Sequence, residues 1–182
     1  MKLLRLFLAN IFLVTPLVYS DQTDDRLNDL FSVLTVSSDL STIRKTENQI
    51  WEIWFEHPNE DVEQLMQMGL ARMNYNRYAE AMFIFTQLIE NYPDYSEGWN
   101  RRATLHYVLG NYEESIRDIE QVLKLEPRHF GALSGLGLVY LQQNQLGKAK
   151  QAFENLIDVH PNSPNAQENL KQINQDLLLN VI

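Results

Sequence analysis

A chain of 182 residues is long enough for one ordinary domain with a sizeable core. Its composition, 45% hydrophobic and 21% charged with 7 Gly and 6 Pro, is that of a folded protein and not of a disordered or collagen-like one. Fifteen Lys and Arg against 24 Asp and Glu leave a formal charge of −9, without the concentrated positive charge a broad nucleic-acid face needs, and the lack of cysteine excludes disulfides, thiolate metal sites and thiol catalysis.

The first twenty residues read as an address. Lys2 and Arg5 form a short positive region, Leu6 to Val18 is mostly apolar despite Asn10, Thr15 and Pro16, and Val18-Tyr19-Ser20 places modest side chains before a cut at Asp21. This is the layout of a secretory signal peptide, residues 1–20, and predicts a periplasmic or secreted mature chain. The apolar run is interrupted well short of the roughly 20 residues a membrane helix needs.

Residues 21–61 are expected to form a helical pair or a degenerate repeat. Leu27, Leu30, Phe31 and Leu34 share one apolar face, and Ile43, Ile50, Ile53 and Trp54 make another. From Val62 to Pro161 the pattern recurs every 34 residues: Pro93, Pro127 and Pro161 fall in register, as do Tyr78, Tyr112 and Leu146, then Ala81, Ser115 and Ala149, then Phe85, Ile119 and Phe153, then Gly69, Ala103 and Gly137. Within each copy the apolar phase changes once, near Asn74 to Arg77, Leu109 to Asn111 and Gln143 to Gln145, so each copy is two helices joined by a tight turn. The prolines end each second helix, and neither helix of a unit buries its face without a neighbour. Residues 162–182 predict a last helix opening at Asn162-Ser163-Pro164, with Ala166, Leu170, Ile173 and Leu177 as the stripe that caps the array.

These three copies resemble tetratricopeptide repeats. The family's large column holds Leu65, Trp99 and Leu133, its first small column Gly69, Ala103 and Gly137, its aromatic column Tyr78, Tyr112 and Leu146, its second small column Ala81, Ser115 and Ala149, and its proline column Pro93, Pro127 and Pro161. Arg102, where an aliphatic residue is usual, and Leu146, in an aromatic place, depart from it. Setting Pro58 in the proline column makes residues 21–61 a weak fourth copy, with Leu30, Leu34, Ile43, Thr46, Ile50 and Trp54 in the packing columns. The resemblance implies an all-α fold, a right-handed α-α superhelix of repeats with a C-terminal capping helix. The segments Trp99 to Leu105 and Glu126 to Leu133 are also similar to small exported repeat proteins of alphaproteobacteria.

No motif carries chemistry. His57, His106, His129 and His160 lack metal-ligand spacing, and the charged run Glu113-Glu114 with Asp118 and Glu120 reads as the polar face of a helix. Gly131 to Gly137 has neither the lysine nor the spacing of a phosphate loop, and reads as close helix packing. The expectation is a non-enzymatic scaffold without a cofactor or metal that binds an unidentified protein or peptide, with no nucleic-acid partner and no membrane span after cleavage. A self-assembling envelope protein, as a homo-oligomer, is the rival reading; an enzyme or metal protein is a further one. The resemblance implies a concave surface on the first helices of the repeats, where Glu97, Asn100, Thr104, Tyr107 and Val108 in the second copy and Ser134 and Leu138 in the third face inward. Arg101 lies beside that strip, placed to meet an acidic group.

Overall fold

The computed structural model describes residues 22–179, so the expected signal peptide lies outside the described residues. Nine α-helices occur among them: α1 (Arg26–Val36), α2 (Leu40–Phe55), α3 (Glu60–Asn74), α4 (Tyr78–Asn91), α5 (Ser96–Val108), α6 (Tyr112–Leu125), α7 (Phe130–Gln142), α8 (Leu146–Val159) and α9 (Pro164–Leu179). The pairs α3/α4, α5/α6 and α7/α8 are the three repeats; each second helix packs on the first helix of the next, and α9 closes the series on α8.

The turns inside the three repeats are the same device. Asn76, Gly110 and Asn144 are spaced by the repeat length and are the described residues with positive φ, at 57°, 76° and 55°. At each, the chain closes the preceding helix with a pair of reversed bonds: Asn76 N–H to Met73 O with Arg77 N–H to Arg72 O, and their counterparts from Gly110 with Asn111 and from Asn144 with Gln145. Such a left-handed residue satisfies the last helical carbonyls, which is why Asn or Gly occupies the place.

The repeat columns pack as their residue sizes require. A Cβ added at Gly69 would lie less than 3.0 Å from the Phe85 ring, and one at Gly137 would lie 2.6 Å from Phe153, so in both repeats the first helix loses its side chain to let an aromatic ring in. Ser115 takes the small place in the middle repeat and gives its hydroxyl proton to Ala103 O. Arg102, the departure from the family pattern, forks onto Asp118 with Nε and a terminal nitrogen each 2.8 Å from a carboxylate oxygen, and lies over the Trp99 ring. An aliphatic contact between the two helices is thereby replaced by a paired charge.

Residues 22–59 contain the helices α1 and α2, and α2 does not stack along α3 as α4 does along α5. The hairpin instead lies lengthwise across the array, over the loops that join one repeat to the next. Gln22 bonds Asp94 O and Ser96 at the first loop, Arg128 bonds Asn28 at the second, and Asn162 bonds Ser37 O at the third. The chain then reverses, Asp39 capping α2 through Thr42 N–H, and α2 returns along the same loops, with Glu47 on His160 and Phe55 O accepting from Tyr95. Leu27, Phe31, Leu34, Ile43, Ile50, Ile53 and Trp54 join Phe130, Leu133, Phe153 and Leu156 in one core, so the hairpin and the third repeat bury each other's apolar faces. The hydrophobic pattern of the hairpin is that of a repeat, and its packing partner is not.

Candidate functional site

The first helices of the second and third repeats, α5 and α7, run side by side with α6 behind them. Between them is a cavity of about 330 Å³ lined by Asn100, Ala103, Thr104, Tyr107, Val108, Ser115, Ile119, Gly131, Ala132, Ser134, Gly135 and Leu138. Six of the eight residues chosen from sequence are among these: Asn100, Thr104, Tyr107 and Val108 from α5, and Ser134 and Leu138 from α7. Their three-and-four spacing puts them on one stripe of each helix.

Glu97 and Arg101 are brought together elsewhere. Glu97 has no exposed surface, sealed under the hairpin, and Arg101 keeps 20% of its side-chain surface. Both guanidinium contacts of Arg101 go to Glu97 Oε1, and the guanidinium lies over Phe55 of α2 with 4.6 Å to the ring centroid. Oε2 accepts from Asn100 Nδ2 at 2.9 Å and meets His129 Nε2 at 3.1 Å. Because His129 Nδ1 accepts the Ala132 N–H and so caps α7, the ring proton sits on Nε2 and is donated to Glu97. Burial by itself raises the pKa of the carboxyl; the Arg101 charge and the donors His129 and Asn100 outweigh it and hold Glu97 below its ordinary value. The acidic group expected opposite Arg101 is thus supplied by the chain itself.

The hairpin residues that complete this arrangement were not singled out from sequence. Trp51 and Phe55 flank Arg101, and Trp51 packs so closely on α7 that a Cβ at Gly131 would sit 2.5 Å from its ring. The available signal was composition: Trp51, Trp54 and Phe55 crowd three large rings into one turn and a fraction of a single helix. Three glycines of α7 then have separate reasons. Gly131 admits Trp51, Gly137 admits Phe153, and Gly135 borders the cavity, where an added Cβ would make only an ordinary contact of 3.6 Å with Ile119.

Among the described residues His129 meets the carboxylate of Glu97 and His160 that of Glu47, and no serine hydroxyl is bonded to a histidine. Among the described residues no cluster of three or more His, Asp or Glu is placed to hold a metal ion. His106 is held below its ordinary pKa by burial, against the opposing charge of Asp118. Among the described residues no helix is long and apolar enough to cross a membrane.

The cavity, its two bordering helices and the 34-residue register define a helical-repeat protein with an open inner surface. Tetratricopeptide repeat models match residues 65–95 and 100–166. A TPR repeat-containing protein of Rhizobium etli is 35% identical over 158 residues, covering 87% of this chain and 78% of that protein. The chain belongs to the tetratricopeptide repeat family. It is also similar to human sperm-associated antigen 1, 28% identical over 109 residues, but spans only 12% of that protein's length. In fold it is similar to the Yersinia enterocolitica type III secretion chaperone SycD in complex with a peptide of the translocator YopD, with a TM-score of 0.62 at 15% identity, over 65% of this chain and 95% of that one.

Proposed function

We propose that this chain is an exported, non-enzymatic scaffold that binds a peptide or protein segment in the cavity between α5 and α7. The observation that carries the reading is the gathering of Asn100, Thr104, Tyr107, Val108, Ser134 and Leu138 around one uncharged cavity. Among the described residues Asn100 Oδ1 has no hydrogen-bond partner, while Val108 is 49% exposed at the rim. A segment presenting a backbone or side-chain donor beside an apolar group satisfies both. The fold shared with SycD, whose structure contains a translocator peptide, supports a peptide as the occupant. The charged and apolar start of the chain supports export, with the mature protein in the periplasm or secreted.

Crosslinking of the untagged protein in its native cells identifies the partner, and the double variant Thr104→Ala/Tyr107→Ala tests the site. These two side chains serve the cavity wall and are not part of the Glu97 network, so helicity and cooperative unfolding are retained and the crosslinked partner binds more weakly. Unchanged affinity in the folded variant rejects the cavity as the site. For export, the mass of the native mature chain begins at Asp21; a chain retaining Met1 rejects it.

A further inference from the structure

Because α2 turns away from α3, a second opening lies between these two helices, apart from the α5–α7 cavity. It measures about 510 Å³ and is lined by Asn48, Trp51, Glu52, Phe55, Glu56, Glu63, Met66 and Gln67. Its base is apolar, made by Trp51 and Phe55 of α2 and the buried Met66 of α3. Carboxylates rise from both sides, Glu52 from α2 and Glu63 from α3, while Glu56 at the end of α2 is paired with Arg26 at the start of α1. Glu60 and Glu63 continue the acidic edge along α3 into an adjoining shallow depression.

Two features separate this cleft from an ordinary solvated acidic face. Glu52 and Glu63 make no ion pair within the described chain, and Arg101, the guanidinium against Trp51 and Phe55, is committed to Glu97. Moreover Glu52 lies in the last turn of α2, a helix with no basic residue in that turn, whereas the C-cap Glu56 is already paired with Arg26 at 3.3 Å. The C-terminal end of a helix carries partial negative charge and disfavours carboxylates, so this placement works against folding. We infer that the cleft between α2 and α3 is a docking site for a basic segment of another protein, with Lys or Arg meeting Glu52 and Glu63 on either side of an apolar side chain laid on Trp51 and Phe55. The complementarity is of charge at the walls and of hydrophobicity at the base, and it attracts such a segment from a distance through the chain's net negative charge.

The probe is a dye-labelled Lys-Leu-Lys-Leu-Lys peptide, with Glu-Leu-Glu-Leu-Glu as its reversed-charge partner, titrated with the full chain by fluorescence anisotropy. The basic peptide binds, the acidic one does not, and the affinity falls as salt is raised. The isosteric double variant Glu52→Gln/Glu63→Gln weakens binding about fivefold, the effect of removing two exposed charge pairs. Glu120→Gln/Asp158→Asn, which removes the same charge from exposed positions on α6 and α8, leaves it unchanged. Equal loss in both double variants reduces the effect to net charge and overturns the proposal, as does equal binding of the two peptides. Concentration-dependent self-association abolished by Glu52→Gln/Glu63→Gln puts a second copy in the cleft and overturns it too. None of these outcomes depends on the α5–α7 cavity, whose residues are untouched by either variant.

Discussion

The indole of Trp54 lies face to face on the imidazole of His129, ring centroids 4.0 Å apart and planes 9° from parallel. One ring belongs to the hairpin and the other caps the third repeat while bonding Glu97 of the second, so a single stack ties α2 to two repeats. Stacking also fixes the imidazole plane in which the Nδ1 acceptor and the Nε2 donor are both aligned.

Trp54 is fully buried and its Nε1–H has no hydrogen-bond partner among the described residues. The side chain therefore contributes area and stacking, not a polar contact. Trp54→Ala is expected to cost about 3–5 kcal/mol, and Trp54→Phe about 1–2 kcal/mol because a smaller ring still covers His129 and no hydrogen bond is lost. Trp99→Ala is expected to cost less than Trp54→Ala, since Trp99 is only partly buried and its Nε1–H to Pro93 O lies at the surface. Urea unfolding of the three variants gives the order; a Trp99→Ala loss exceeding that of Trp54→Ala contradicts it.

The Glu97 network makes stability depend on acidity. A carboxyl whose folded pKa lies below its unfolded value stabilises the fold above the unfolded pKa, near 4.5, and that contribution is lost as the pH falls through the folded pKa. At neutral pH Glu97→Gln is expected to cost on the order of 3 kcal/mol, because Arg101 is left without its counter-charge under the hairpin. Below pH 4.5 the gap between wild type and variant narrows. Unfolding midpoints followed from neutral to acid pH check the sign; parallel curves exclude Glu97 as the titrating group.

Gly110 isolates the backbone requirement of the repeat turn. Its φ is 76° and an added Cβ would meet no atom within 4 Å, so any loss in Gly110→Ala is conformational. The expected cost is about 1 kcal/mol. Gly110→Asn is expected to cost less, as Asn76 and Asn144 hold the equivalent places. Thermal unfolding separates the two, and equal stability of Gly110→Ala with wild type contradicts the turn assignment.

The repeat register was legible because it is local and redundant: Pro93, Pro127 and Pro161, or Gly69 with Phe85 and Gly137 with Phe153, state the same packing more than once along the chain. The stripe of α5 and α7 followed from that register by helical geometry alone. The path of α2 did not. Ile43, Ile50 and Trp54 show that the helix has a buried face, but an apolar face is non-directional and fits the end of a solenoid or its loops equally well. What selects the loops is a set of contacts far apart in sequence, Glu47 with His160 and Trp51 with Gly131, whose members look unremarkable separately. The burial of Glu97, a residue of the inward strip, and of Arg101 beside it follows from that path, so their exposure was not legible from the register.

Two glycines of α7 separate packing from the cavity. Both have ordinary helical backbone, since Gly110 is the described glycine with positive φ, so replacing either with Ala gains up to about 1 kcal/mol of helix propensity. At Gly137 that gain is outweighed, because the new Cβ would stand 2.6 Å from Phe153, a ring buried in the core, and overpacking is expected to cost about 1–3 kcal/mol. At Gly135 the nearest atom is Ile119 Cδ1 at 3.6 Å, so the methyl fits and the gain remains. Gly135→Ala is therefore expected to unfold at higher denaturant concentration than wild type, and Gly137→Ala at lower. The same methyl intrudes on the cavity that Gly135 lines, so the more stable variant is expected to bind the crosslinked partner more weakly. A Gly135→Ala protein that gains stability with its partner affinity intact keeps the packing account and removes the cavity from the binding surface.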